Sequence, residues 1–336
     1  MNVLVLTEGG GKLGLGHLSR CIALKQAITE LLPTADFDFI ADTDKQAQNF
    51  LRSQNTNSLS LDWLRHKSRI PHFLEKANVV IVDSYRAPVS FYRALGNPKY
   101  KRRPLVVAID DYQRIDYPVD LVINPSIYGD SLNYAAESHN GMKFLLGKKY
   151  IILRKEFWNP AQKKIRKKIR DILITFGGTV DIKFAMGIVH FLSDKFSGIN
   201  YHIIANVRGY TKKYSRCKIY SALSAQETRD LMASCDLCIS AGGQTLYELI
   251  KVGIPTIGIC FARNQYLNLR TAQKQNLVTF AGWSYHKGLS ILIHTLIIGM
   301  DYKKRMSLSR RSRNCFAGNG AFQVAKEISR LSALDR

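Results

Sequence analysis

From Asn2 onward the chain alternates short apolar runs with longer helical patterns, and this alternation restricts it to an α/β architecture in which parallel sheets are flanked by helices. In the first half, strands are expected at 3–7, 37–41, 79–83, 105–109 and 121–123, with helices notably at 17–32 and 45–53. At 163–170 (KKIRKKIR) the composition turns abruptly to charge, and a new strand is expected at once over 171–176. The second half repeats the theme with strands at 201–205, 237–240, 256–260 and 278–280 and helices at 225–234, 245–252, 265–275, 301–313 and 321–331. A chain of 336 residues exceeds what one core usually serves, so two doubly wound domains are expected, 1–160 and 170–336. The last helix is free to pack back on the first domain. Two such domains in tandem place a cleft between their strand C-terminal edges, where ligands of these sheets bind.

Charge narrows the choice of partner only in part. The chain carries 49 Lys plus Arg against 26 Asp plus Glu, a formal net charge of +23. An excess of this size suits a polyanion such as nucleic acid, an acidic membrane leaflet or a phosphorylated small molecule. The cations bunch at 99–103, at 163–170, and at 303–305 with 310–313, while RNA-recognition, zinc-finger and aromatic–basic signatures are lacking. No specific nucleic-acid partner is therefore expected; the clusters read first as solvated linker and helix faces, with weak association to an anionic membrane surface as the alternative. The apolar run at 3–6 lacks a basic flank and is too short for a signal core or a membrane span. With six cysteines expected as free thiols, the reading is a cytoplasmic protein, peripheral to the inner face of the membrane at most. Cys235 and Cys238 have CxxC spacing, but no second pair completes a zinc site, so they read as core and no metal is expected.

The glycines carry the chemistry. The first strand runs into Gly9, Gly10, Gly11, Gly14 and Gly16, and the run delivers His17 to the start of a helix with Arg20 one turn along. A glycine turn between strand and helix lets main chain approach a ligand, and a histidine there suits general acid–base work. The spacing GxGHxxR differs from the dinucleotide fingerprint GxGxxG, which disfavours an NAD enzyme and leaves no cofactor implied. His66, His72, His139, His190, His202, His286 and His294 lack such company. Two further glycine turns follow strands in the second half. One is TFGGT at 175–179, with Gly177 and Gly178; the other is SAGGQT at 240–245, leading into a helix that carries Glu248. Main-chain N–H groups at such a helix start suit a diphosphate, and a carboxylate one turn in can accept both ribose hydroxyls.

The string SAGGQTLYELIKVGIPTIGI, followed by Ala262-Arg263-Asn264-Gln265, resembles the nucleotide-sugar site of GT-B folds. With GLGHLSR it most resembles the pseudaminic-acid-pathway UDP-sugar hydrolases and the related spore-coat polysaccharide family, relatives of glycosyltransferase family 28. The likeness runs nearly end to end, through VDSY (82–85), IDD (109–111), INP (123–125), LRKEF (153–157), FGGT (176–179) and AGNGA (317–321). It implies two Rossmann-like domains, with UDP on the second and the sugar facing the first. Carried over, His17 is the essential histidine, and Gly14, Gly16, Arg20, Asp83 and Tyr85 lie on the sugar side. Gly177, Gly178, Ser240, Gly242, Gly243 and Gln244 fall at the diphosphate, Glu248 at the ribose, and Asn264 and Gln265 at the adjoining polar pair. In such hydrolases water attacks the anomeric carbon with inversion and UDP leaves, His17 orienting or deprotonating the water and no metal being required. Asp110 and Asp111 are expected to end a strand and shape the sugar pocket.

Two departures fall on the sugar side: Ser84 stands where the family often has histidine, and the first loop reads TEGGGK. The alternative is a GT-B transferase acting on a membrane-linked acceptor, which should expose apolar beside basic residues on the first domain. The segment 88–93 (PVSFYR) is the candidate, and it reads equally as a helix start. A non-catalytic binder is the third reading.

Overall fold

A computed structural model describes the chain apart from residues 12, 97–102, 135–140, 178–179, 206–214, 222, 317 and 335–336. Gly178 and most of the basic cluster at 99–103 therefore lie outside the described residues, as does His139. The chain divides into two compact units, Met1–Lys155 joined by Gly318–Arg336, and Glu156–Ala317.

In the first unit, β1 (Asn2–Gly9), β2 (Asp36–Thr43), β3 (Leu59–Ser60), β4 (Val79–Asp83), β5 (Leu105–Ile109), β6 (Leu121–Asn124) and β7 (Lys143–Leu146) form one sheet. Its order is β3-β2-β1-β4-β5-β6-β7, and every adjacent pair is parallel. β4 and β5 are buried along their whole length, which is why they read as unbroken apolar runs rather than alternating ones. Around the sheet lie α1 (Gly16–Leu31), α2 (Lys45–Ser53), α3 (Pro71–Leu74) and α4 (Val89–Leu95). Leu4, Leu6, Val80 and Val82 pack with Trp63 and Phe91 in one core, while Leu18 and Ile22 of α1 pack with Ala41, Ala47 and Leu51 in another. Within the segment 88–93, α4 begins at Val89, and the two aromatic residues, Phe91 and Tyr92, are buried in the core rather than exposed beside Arg93.

In the second unit, β8 (Asp171–Thr175), β9 (Asn200–Ile204), β10 (Cys217–Tyr220), β11 (Leu237–Ala241), β12 (Thr256–Cys260) and β13 (Thr279–Trp283) form a parallel sheet ordered β10-β9-β8-β11-β12-β13. The helices are α5 (Ile182–Ser193), α6 (Ala225–Ser234), α7 (Gln244–Val252), α8 (Arg263–Lys274), α9 (Leu289–Ile298) and α10 (Tyr302–Cys315). The final helix, α11 (Gly320–Ser332), belongs to the first unit and packs on α1, burying Val324, Ala325, Ile328 and Leu331. Its first residue must be glycine, because a Cβ on Gly320 would stand 2.3 Å from the Ile151 carbonyl oxygen.

Both sheets are laid down in two directions from an inner pair, β1 and β4 in the first and β8 and β11 in the second. At such a switch point the loops leaving the strand C-termini diverge and open a crevice, the usual binding place of an open α/β sheet.

Candidate active site

At the switch point of the first unit, α1 begins directly after the glycine turn, so His17 and Arg20, three residues apart, share one helix face. That face meets Asp83, the last residue of β4. All three are enclosed: His17 and Arg20 are 5% exposed and Asp83 is 0% exposed. The Arg20 guanidinium grips Asp83 with two bonds, Nε to Oδ2 at 2.5 Å and Nη2 to Oδ1 at 2.6 Å, and reaches Asp111 Oδ1 through Nη1 at 2.6 Å. His17 Nδ1 stands 2.6 Å from Asp83 Oδ1.

Burial alone pushes the Asp83 carboxyl upward, but Arg20 and His17 outweigh it and hold the group well below the usual carboxylate range. Burial likewise pulls Arg20 down, and Asp111 and Asp83 more than reverse that. Because Asp83 is an ionised acceptor, His17 Nδ1 donates to it. The 3.2 Å approach of Arg20 Nη2 to Nδ1 then results from two donors sharing one carboxylate oxygen. In the neutral ring a proton on Nδ1 leaves the lone pair on Nε2, which has no hydrogen-bond partner among the described residues.

Tyr85 completes the group. Its ring meets that of His17 edge-on with centroids 4.4 Å apart, and its hydroxyl donates to the second oxygen of Asp111. The loop after β4 is held by buried Glu8, which accepts from Tyr85 N at 3.0 Å and from Arg86 Nε at 2.7 Å. Ser84 accepts from the main-chain N–H groups of Arg86 and Ala87, so at this departure from the family pattern the side chain closes a turn.

The first glycine run is partly structural. Gly10 and Gly14 exchange main-chain hydrogen bonds at 2.9 and 2.7 Å, and Gly14 takes a left-handed φ of 75°. A Cβ on Gly9 would meet Leu18 at 2.6 Å. Gly16 opens α1 beside His17.

In the second unit, Gly177 and Gly242-Gly243 follow the ends of β8 and β11, the strands flanking the switch point. Gly177 has φ 78° and open space where a Cβ would stand. Neither α7 nor α8 has a side-chain N-cap, their N-cap residues being Gly243 and Ala262, whereas Asp181, Ser224 and Asp301 cap α5, α6 and α10. The uncapped starts adjoin each other: a Cβ on Gly242 would lie 2.7 Å from Gln265 O, and Asn268 Nδ2 donates to Gly242 O at 2.9 Å. Gly243, by contrast, has nothing within 4 Å of that position. Two adjoining helix starts without side-chain caps are a chemical setting that suits an anion, because a helix N-terminus carries partial positive charge.

The predicted polar side chains divide into outward and inward groups. Asn264 is exposed in the first turn of α8, and Gln244 begins α7. Gln265 Oε1 accepts from Phe261 N at 3.0 Å and so steadies its own loop. Ser240 is 1% exposed and its hydroxyl donates to Ala241 O at 3.3 Å; Glu248 is 3% exposed.

Asp111, expected from the sequence to end a strand and shape the sugar pocket, is in addition the second carboxylate on Arg20, and Asn268 is a residue the sequence does not single out. The signal for Asp111 was its place at the C-terminal end of a buried strand. For Asn268 it was a polar residue on the inner face of α8, where Tyr247 donates to it. Cys235 and Cys238 are free and buried; burial pushes the Cys235 thiol up to about 12 and Cys238 well above its ordinary value. Among the described residues no group of three or more His, Cys, Asp or Glu could hold a metal ion, and no helix is long and apolar enough to cross a membrane.

No family model matches the sequence. An uncharacterized protein of Methanocaldococcus jannaschii is 24% identical over 281 residues, 76% of this chain and 55% of that protein. The pseudaminic acid cytidylyltransferase and UDP-2,4-diacetamido-2,4,6-trideoxy-beta-L-altropyranose hydrolase of Helicobacter pylori is 29% identical over 260 residues, covering 76% of this chain and 43% of its own length. The chain thus spans about half the length of these two relatives. The spore coat polysaccharide biosynthesis protein SpsG of Bacillus subtilis is 25% identical over 352 residues, 98% of each chain. Among solved structures, S. aureus MnaA with UDP superposes with a TM-score of 0.71 at 10% identity, over 98% of this chain and 96% of that one. Acinetobacter baumannii MurG does so with a TM-score of 0.64 at 13% identity, over 98% and 100%. Two parallel-sheet Rossmann-like units with these likenesses give the chain a GT-B fold.

Proposed function

We propose that this chain hydrolyses a UDP-sugar at the anomeric carbon, releasing UDP and the free sugar, in the synthesis of a nonulosonic acid or surface polysaccharide. The observation that carries the reading is the His17–Asp83 pair: a buried carboxylate fixes the imidazole so that Nε2 can accept a proton at a sheet switch point. The names of the Helicobacter pylori and Bacillus subtilis relatives support the substrate class, and the UDP bound to MnaA supports the nucleotide.

In this reading the oxygen of water bonds to the anomeric carbon as one proton passes to His17 Nε2. The bond from that carbon to the diphosphate oxygen breaks, and its electron pair leaves with UDP. Main-chain N–H groups at the starts of α7 and α8, with Gly177 and Gly178, receive the diphosphate charge, and Glu248 takes the ribose. Arg20, Asp83 and Tyr85 position His17 and border the sugar.

A second reading, transfer to an acceptor hydroxyl, is favoured by the fold neighbours, among them a spinosyn rhamnosyltransferase at TM-score 0.62 and 13% identity. His17 would then deprotonate the acceptor. A panel of UDP-sugars, incubated with purified protein without acceptor or metal, separates the two. Release of UDP with stoichiometric free sugar supports hydrolysis, whereas UDP binding without release rejects it in favour of transfer.

A further inference from the structure

The basic clusters at 163–170 and 303–305, far apart in sequence, meet in the second unit. Arg305 is 1% exposed, and its guanidinium donates to the carbonyl oxygens of Arg166 at 2.9 Å and Lys167 at 2.8 Å. That clamp fixes the 166–168 segment beside the start of α10. Part of the first cluster is structural: Lys163 is buried against Ala233 O, and Arg166 is paired with Asp171 and Asp236. The remaining cations face outward. Lys167, Lys168, Lys303 and Lys304 are exposed, and none is in an ion pair among the described residues.

Next to Lys303 and Lys304 in the chain stand four exposed apolar residues. One face of α9 packs Leu289, Ile293 and Ile297 into the core, while the opposite face presents Ile291 and Ile298, 62% and 63% exposed. A tight turn leads to α10, whose first two turns expose Tyr302 and Met306, 37% and 46%. Aliphatic residues next to unpaired lysines are the composition of an interfacial surface: the apolar groups enter the headgroup boundary and the cations meet lipid phosphates. A phosphate-tracking single-strand surface would interleave its cations with stacking aromatics, whereas here aliphatic groups, Ile291, Ile298 and Met306, outnumber the one aromatic, Tyr302.

We infer that the α9–α10 face, with the 166–168 segment clamped to it by Arg305, docks the second unit on an anionic lipid bilayer. The inference is independent of the reaction assigned above, because none of these residues belongs to the candidate active site.

Flotation of the full chain with phosphatidylcholine vesicles, with and without phosphatidylglycerol, tests it. The protein is expected to float only with the anionic vesicles and to be released by raised salt. Lys303→Ala/Lys304→Ala should lower partitioning about thirtyfold, from the usual contribution of a basic residue near an anionic surface. Ile291→Ser/Ile298→Ser should lower it about tenfold at unchanged net charge. Thermal melting of both variants at the wild-type temperature would exclude misfolding. Absence of binding, equal binding to neutral vesicles, or binding that survives both substitutions would overturn the proposal. Anionic binding insensitive to the isoleucine changes and competed away by duplex DNA would replace the bilayer with nucleic acid.

Discussion

Asp83 is the side chain on which the first unit's site turns. It is buried, it takes both the His17 proton donor and the Arg20 fork, and it can do so only while ionised. Asp83→Asn keeps the shape but leaves a buried guanidinium with one of its two carboxylate partners neutralised, and should cost about 3–5 kcal/mol of unfolding free energy in a urea titration. The pH dependence has a definite sign. A carboxyl whose pKa is lower folded than unfolded contributes its full stabilisation above the unfolded value, near 3.9, and loses it as pH falls towards the folded value. The gap between wild type and Asp83→Asn is therefore expected to be constant above about pH 5 and to shrink below about pH 4. A gap that widens on acidification would contradict the assignment of Asp83 as the paired anion. His17 and Arg20 were legible in the sequence because both follow one glycine turn at helical spacing. Asp111 was not assigned to Arg20 because the contact spans 91 residues and exists only once β5 lies beside β4.

Among the elements, the glycine turn before α7 combines two requirements that composition does not separate. Gly242 is required by packing: a Cβ there would meet the Gln265 carbonyl and Leu269, both at 2.7 Å. Gly243 has open space around it and an ordinary φ of −86°. Gly242→Ala should therefore lower stability by about 1–3 kcal/mol, the scale of overpacking against main chain. Gly243→Ala should melt like wild type yet bind UDP more weakly by calorimetry, because its methyl group stands where an anion approaches the helix start. Equal UDP affinity in Gly243→Ala would remove this turn from the anion site. Central strands such as β4, β5 and β12 were readable because burial on both faces leaves an unbroken apolar run. The edge strands β3 and β10 escaped because they are two and four residues long and partly exposed, so neither run length nor alternation marks them. α5 and α9 were missed for the opposite reason: their nearly continuous apolar sequences, IKFAMGIVHFLS and LSILIHTLII, blur the helical period.

Across the whole molecule, the chain leaves the first unit after Lys155 and returns to it at Gly318. The return rests on α11 and on the close approach of Gly320 to the Ile151 main chain. Gly320→Ala should destabilise the first unit by about 1–3 kcal/mol, since the main chain it meets cannot give way as a side chain would. Hydrogen exchange should show the loss of protection in α1 and α11 while the second unit keeps its own, and uniform loss through both units would contradict this account. The alternation of strands and helices made the two sheets legible. The gathering of separate basic clusters at Arg305 was not, because it depends on a buried arginine reaching main-chain carbonyls some 139 residues away. In the proposed reaction His17, aligned by Asp83, takes the proton as a UDP-sugar is cleaved. The most direct test is UDP release by His17→Ala beside wild type on whichever UDP-sugar the wild-type protein turns over. A fall in kcat of about 10²–10⁴-fold with UDP affinity little changed is expected. Turnover within a few-fold of wild type would show that another group carries the proton.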